Sequence, residues 1–225
     1  MQALLIRLAG FTAHFRDPRI NTAKIGLPSR TLHCPPPCTI HGLLMAAKGG
    51  WIEPHTLKLG WRMDYASIGI DFQTSQLPQR KIYNFKTGLQ KTATSPVERE
   101  YLALPMLSIL ALDGVEKEWF RAPANPLSLG RSEDMITERE MEMVSFENVQ
   151  NGEIARQCLP LTMGSGTIYA TPLYFESNRR PVAMTPRVDA RARQEIRARG
   201  EQNTISMVQK SRETFYIWDF HAASS

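Results

Sequence analysis

A chain of 225 residues has room for one large domain or two small ones, and 42% hydrophobic with 22% charged residues is the balance of an ordinary folded protein. No run approaches the roughly 18 consecutive apolar residues of a membrane-spanning helix, and Arg7 breaks the opening apolar run too early for a secretory signal. Three cysteines, an odd number, argue against a disulfide framework and fit the cytoplasm, while 27 Lys+Arg against 22 Asp+Glu (net +5) point first to a polyanionic partner.

Along the chain, Ala3 to Leu8 reads as a first strand, with Leu4, Ile6 and Leu8 on one face and Leu5 on the other, so both faces are expected to be buried. Phe11 to Leu32 is a long polar and basic loop carrying Arg16, Arg19, Asn21, Lys24 and Arg30. In H-C-P-P-P-C-T-I-H-G-L-L-M-A-A-K-G-G, Ile40, Leu43, Leu44 and Ala47 take helical spacing, with Thr39 expected as the cap and Gly49-Gly50 as the stop. Gly42 inside that helix costs about 1 kcal/mol against Ala, which leads one to expect close packing there. Leu57 to Phe72 reads as one or two strands, and Tyr101 to Leu112 as a buried strand broken near Pro105. Between them, alternation of Tyr83 and Phe85 with Asn84 and Lys86, with Gly88 as a turn, predicts a β-hairpin.

Val115 to Ala122 is then a short helix stopped by Pro123 and Pro126, and L-S-L-G-R-S-E-D a glycine turn with Ser132 as a possible cap. Ile168 to Phe175 and Phe215 to Phe220 are strand candidates, and Thr185-Pro186 with Val188, Ala192, Ile196 and Gly200 suits a basic helix. The first half thus runs strand, helix, strand, hairpin, strand, short helix, strand. That is the order of an α+β, ferredoxin-like unit, the plan of RNA-recognition domains. The expected division is a ferredoxin-like part over 1–145 and a smaller β-rich part over 146–225. The sheet aromatics of the RNA-recognition motif are absent, so loops and hairpin have to hold any RNA.

Charge is unevenly spread. No acidic residue stands between Phe72 and Val97, where Arg80, Lys81, Lys86 and Lys91 lie, and from Arg179 to Arg212 nine basic side chains face three acidic ones. A cationic, aromatic hairpin can neutralise phosphates while Tyr83 stacks on a base.

The Cys/His stretch supports weaker chemistries. Cys34 and Cys38 with His33 or His41 offer three metal ligands without a fourth, and nothing marks a thiol of lowered pKa beside His41. The prolines instead fix an extended approach into a packing helix. Gly-Ser-Gly at 164–166 lacks the spacing of a phosphate-binding loop, and Glu138, Glu140 and Glu142 read as a solvated face. No cofactor or metal is expected.

Three stretches in order carry a resemblance: G-F-T-A-H-F-R before a long polar loop, P-P-P-C-T-I-H-G-L-L-M-A-A-K-G at a helix start, and P-L-S-L-G-R-S-E-D after the second helix. Together, over most of the first 135 residues, they are similar to CRISPR-associated protein family five, a RAMP-superfamily subunit of type I Cascade complexes. The resemblance implies a modified ferredoxin-like fold with a protruding thumb hairpin, about Phe72 to Arg99. It implies a non-catalytic subunit that grips the 5′ handle of the guide RNA and caps the backbone filament. Its partners would be that RNA, the backbone and large subunits and, indirectly, target DNA. Carried over by position, Arg80, Lys81, Tyr83, Lys86 and Lys91 face RNA from the thumb. Arg16, Arg19 and Lys24 line the handle from the long loop, and Arg131 with Ser132 meets it from the glycine turn. One branch of that family cuts precursor RNA without metal using Tyr, Lys and His. Here none of the five histidines lies between residues 56 and 220, so catalysis is not carried over. A processing ribonuclease built on His14 or His33 with Tyr83 or Lys86 is the alternative, and an unrelated basic or ribosome-associated RNA-binding protein a third.

Overall fold

The computed structural model describes residues 1–19, 29–84, 89–198 and 204–220, and over 74–95 the backbone of the strands only. The chain runs β1 (Gln2–Gly10), β2 (Thr12–Ala13), α1 (Pro37–Lys48), β3 (Lys58–Asp64), β4 (Ser67–Asn84), β5 (Leu89–Ala103), β6 (Met106–Asp113), α2 (Lys117–Arg121) and β7 (Ile136–Val149). It continues with β8 (Asn151–Ile154), β9 (Gln157–Pro160), β10 (Thr167–Thr171), β11 (Tyr174–Phe175), β12 (Pro181–Val182), β13 (Thr185–Ala190), β14 (Gln194–Arg197), β15 (Thr204–Val208) and β16 (Thr214–Asp219). Against the α+β expectation, the described chain is mostly β, with helices of only 12 and five residues.

β3, β6, β1 and β7 lie side by side in that order, each antiparallel to its neighbour. β16 pairs with β3, and β15 with both β16 and β7, so the last two strands close the sheet into a six-stranded barrel. Closure removes the two open edges such a sheet would otherwise present. The expected boundary near residue 145 falls inside β7.

Alternation along the strands separates two cores. Leu5, Leu110, Val144, Phe215 and Ile217 form the smaller cluster. Leu4, Ile6 and Leu8 join the larger one with Trp61, Ile109 and both helices. Helices pack outside a closed barrel, so the smaller cluster is its filling. Gly60 on β3 makes room for it: a Cβ there would stand 2.5 Å from the Tyr216 carbonyl and 2.9 Å from Phe215. Arg7 of β1 and Arg62 of β3 both reach Glu213, at 3.2 and 3.9 Å.

Helix α1 starts two residues before the predicted cap. Pro36 is the N-cap and Pro37 the first helical residue, and no side chain caps the end. Proline suits this position because its φ is already helical and its missing N–H would have been unpaired anyway. Thr39 therefore sits inside the first turn, donating its N–H to the Pro36 carbonyl. Gly49 ends the helix in the left-handed region, as its composition implies. Gly42 faces open space, so close packing does not explain it. Ile40, Leu43, Leu44 and Ala47 are buried against the barrel, each larger side chain contributing about 2 kcal/mol.

The segment read as a basic helix is instead two strands, β13 and β14. β13 is central in a three-stranded sheet between β10 and β9. Thr185, Val188 and Ile196 are β-branched, and pairing on both sides of β13 satisfies backbone groups that a lone helix with a thin apolar stripe would not bury.

Candidate nucleic-acid interface

β4 and β5 form one long antiparallel hairpin, paired from Ser67↔Ala103 out to Asn84↔Leu89. The register shifts between Leu77 and Lys81, where Pro78 cannot donate to a ladder. Arg80, Lys81, Tyr83 and Lys91 lie on this hairpin's strands, but their side chains, and all of Lys86, Asn21 and Lys24, are outside the described residues.

Beside the pairing of β2 with β5, three connections bear on the cleft at the hairpin's root. Ser29 pairs in parallel with Arg99, its N–H donating to the Glu98 carbonyl at 2.7 Å and its carbonyl accepting from Glu100 N at 2.9 Å. Arg99, buried, donates to Glu133 at 2.9 Å and to Asp71 at 3.4 Å. Arg131 donates to the side-chain carbonyl of Gln73 on β4.

The second and third connections start in the glycine turn. Asp134 is buried and accepts from Thr12 Oγ1 at 2.6 Å and from the Arg131 N–H at 3.3 Å. Gly130 stands at φ 115, where a Cβ would meet the His14 carbonyl at 2.0 Å, so the turn needs a residue without one. Ser132 does not cap a helix: a strand follows, and its hydroxyl donates to Glu133 at 3.3 Å.

An open cleft of about 830 Å3 lies at this root. Arg16 from the long loop and Arg131 from the glycine turn both line it, beside Gln73 and Val97 of the hairpin. Phe175 and Met184, both exposed, supply an apolar wall from the β11–β13 region. Sequence reasoning missed these two, and missed Gln73 and Arg99, because nothing local marks residues whose partners lie dozens of positions away.

The other loop cations are differently placed. Arg19 is clamped through Nε and Nη2 by the buried Asp17, whose carboxyl is held below its usual range by that pairing despite burial. Arg30 is exposed and 3.8 Å from Glu100. His14 lines the cleft but is buried, with Nδ1–H donating to the Glu100 carbonyl at 2.7 Å and Nε2 accepting from Ser29 at 3.3 Å. Burial first, then Arg131 and Arg99, lower its pKa. His41 is buried too and donates to the Ile52 carbonyl at 2.9 Å. Burial raises the pKa of all three cysteine thiols, that of Cys158 to about 12, so none is a poised nucleophile. Among the described residues no three His, Cys, Asp or Glu side chains converge to hold a metal.

No protein-family model and no curated protein sequence matches the chain. Solved structures do. It is similar to a chain of a CRISPR RNA-guided surveillance complex at 20% identity, covering 87% of this chain and 91% of that one with a TM-score of 0.53. A CRISPR protein from Archaeoglobus fulgidus matches at 14% identity over 96% and 98% of the two chains, TM-score 0.50. A chain of the Type III-B Cmr-beta complex bound to cognate target RNA and AMPPnP matches at 10% identity over 86% of each, TM-score 0.50. At these identities the likeness is one of fold: the chain has the mostly β architecture of CRISPR-associated proteins.

Proposed function

We propose that the chain is a non-catalytic RNA-binding subunit of a type I CRISPR Cascade complex, gripping the 5′ handle of the guide RNA in the cytoplasm and capping the backbone filament. The observation that carries this reading is the cleft in which Arg16 and Arg131 meet at the root of a long hairpin rich in cations. Two guanidinium groups and an apolar wall in one cleft suit a sugar-phosphate backbone with a base laid against Phe175. The strand order β3, β6, β1, β7 supports a modified ferredoxin-like plan, with the β4–β5 hairpin as its thumb. The fold shared with a surveillance-complex chain supports backbone and large subunits as partners, and pairing of the guide rather than this chain would read target DNA.

Binding without cleavage is favoured by His14, whose ring nitrogens are both engaged and whose side chain is buried, so that it is poorly placed as the base for a 2′-hydroxyl.

The test is a titration of the purified chain with handle RNA over a range of salt. Arg16→Gln and Arg131→Gln should each weaken binding, and each should lower the salt slope by about 0.7. The quadruple change Arg80, Lys81, Lys86 and Lys91 to Ala should do so more strongly. Unchanged affinity and slope in all of these would refute the interface, and repeat RNA cut in EDTA would refute the non-catalytic role.

A further inference from the structure

Tyr65 stands at the bend between β3 and β4, in a second open pocket of about 420 Å3 walled by Ser67, Ile68, Arg156 and Arg191. The Arg156 guanidinium lies over the Tyr65 ring, 4.2 Å from its centre, and donates to the Tyr65 backbone carbonyl at 3.0 Å. Arg191 lines the same pocket close enough for its charge to act on the Tyr65 phenol, and His33 Nδ1 lies 2.8 Å from that hydroxyl. Two guanidinium charges beside the ring favour an uncharged imidazole, which can accept the phenol proton at Nδ1. His33 is accordingly neutral, its pKa lowered to about 4 by burial and then by Arg191 and Arg156.

Two permanent cations thus face one pocket, and each of the two nearby carboxylates is shared with another group. Asp64 is 3.7 Å from Arg156 but is already held by Arg62 at 2.8 Å. Asp189 is buried, and its Oδ2 takes the His33 backbone N–H at 2.9 Å. Burial pushes its pKa up to about 6, so it is charged at neutral pH and loses that charge under mildly acidic conditions.

The backbone adds an independent observation. Arg156 is held at φ 55, in the left-handed region that side chains disfavour. Its N–H donates to the Ala190 carbonyl at 2.6 Å, and its carbonyl accepts from Met63 at 3.0 Å. Strain clamped from two strands marks a position where the placement of the side chain matters.

We propose that this pocket is a second anion site, in which Arg156 and Arg191 hold one phosphate group of a nucleic acid against Ser67 and Tyr65. Two planar forks offer paired N–H groups to tetrahedrally disposed oxygens, a match that a single lysine does not give. The group is either a terminal phosphomonoester or an internal phosphodiester. The site uses none of the cleft residues and does not depend on the handle reading.

The test uses the full chain and the imidazole resonances of His33, assigned with His33→Gln. Inorganic phosphate should shift them saturably in the wild type. Arg191→Gln, an exposed position, should weaken that binding at least about tenfold, with unchanged circular dichroism, while Arg191→Lys falls between. Arg16→Gln and Arg131→Gln should leave it unaltered. Two oligonucleotides of one sequence, with 5′-phosphate or 5′-hydroxyl, then identify the source. Sensitivity to Arg191→Gln confined to the phosphorylated one means a terminal group, and equal sensitivity means an internal one. No saturable shift with phosphate or either oligonucleotide, or identical curves for wild type and Arg191→Gln, would overturn the proposal.

Discussion

Arg99 donates to Glu133 across 34 positions of sequence at 2.9 Å, and this ion pair locks the hairpin root to the glycine turn. The arginine is buried, whereas Glu133 and Asp71, its two partners, are about half exposed. The pairing is therefore asymmetric. If Arg99 is removed, both carboxylates return to water; if they are neutralised, a buried cation loses its counter-charge.

The double change Asp71→Asn with Glu133→Gln should accordingly cost about 3 kcal/mol, and Arg99→Met clearly less. Urea unfolding of the two variants measures this. Equal losses would mean that packing of the arginine stem, not its charge, holds the root.

Asp189 and His33 should produce opposing pH slopes. The Asp189 pKa is raised by burial from 3.8 to about 6, so between those values the unfolded chain ionises while the folded one keeps its proton. Stability from this group is complete below about pH 4 and falls as pH rises through 6. For His33, lowered from 6.5 to about 4, the unfolded chain binds the proton over that interval, so stability rises with pH. Asp189→Asn should unmask the rise, and His33→Gln the fall. The Asp189 contribution is up to about 3 kcal/mol, that of half-exposed His33 smaller. Denaturant midpoints at pH 4, 5, 6 and 7 check the signs, and parallel profiles for all three proteins would contradict them.

Gly130→Ala should lower stability by about 3 kcal/mol, combining a left-handed backbone with a Cβ driven into the His14 carbonyl. Arg131 follows Gly130 directly, so the same change should weaken RNA binding more than Ser132→Ala does. Thermal melts and RNA titrations of the two variants give the comparison; a Gly130→Ala protein with the wild-type melt would show the turn to be adaptable.

Trp61 donates its indole N–H to the Pro35 carbonyl at 2.9 Å, with both residues buried. Trp61→Phe keeps most of the packing but leaves that carbonyl unpaired, at a cost of about 2 kcal/mol. The prolines before α1 thus depend on a strand 26 residues away. An unfolding free energy unaltered by Trp61→Phe would argue that another donor takes over.

Much of this was legible in local pattern. The double-sided burial of β1, the position of α1, the hairpin and the break between β5 and β6 at Pro105 all follow from periodicity and from residues that stop a helix or strand. The 185–200 segment was misread because its apolar spacing suits both periods, and only the neighbours β9 and β10 select the strand. The site divided in the same way. Arg16 and Arg131 were named from composition and motif, and Arg191 falls in the basic stretch from Arg179 to Arg212, but Phe175, Met184 and Arg156 carry no local mark.

What the amino-acid order determined by itself was short-range: alternation, proline stops, the glycine turn and a stretch of hairpin without acids, each set by backbone sterics and side-chain charge within a few residues. Only the tertiary structure decided which cations are clamped by carboxylates and which line a pocket. Arg19 and Arg99 are held by carboxylates, while Arg156, 3.7 Å from Asp64, and Arg191 are brought from two separate connections between strands to one pocket. Counter-charge and burial depend on neighbours in space, and those neighbours lie far apart in the chain.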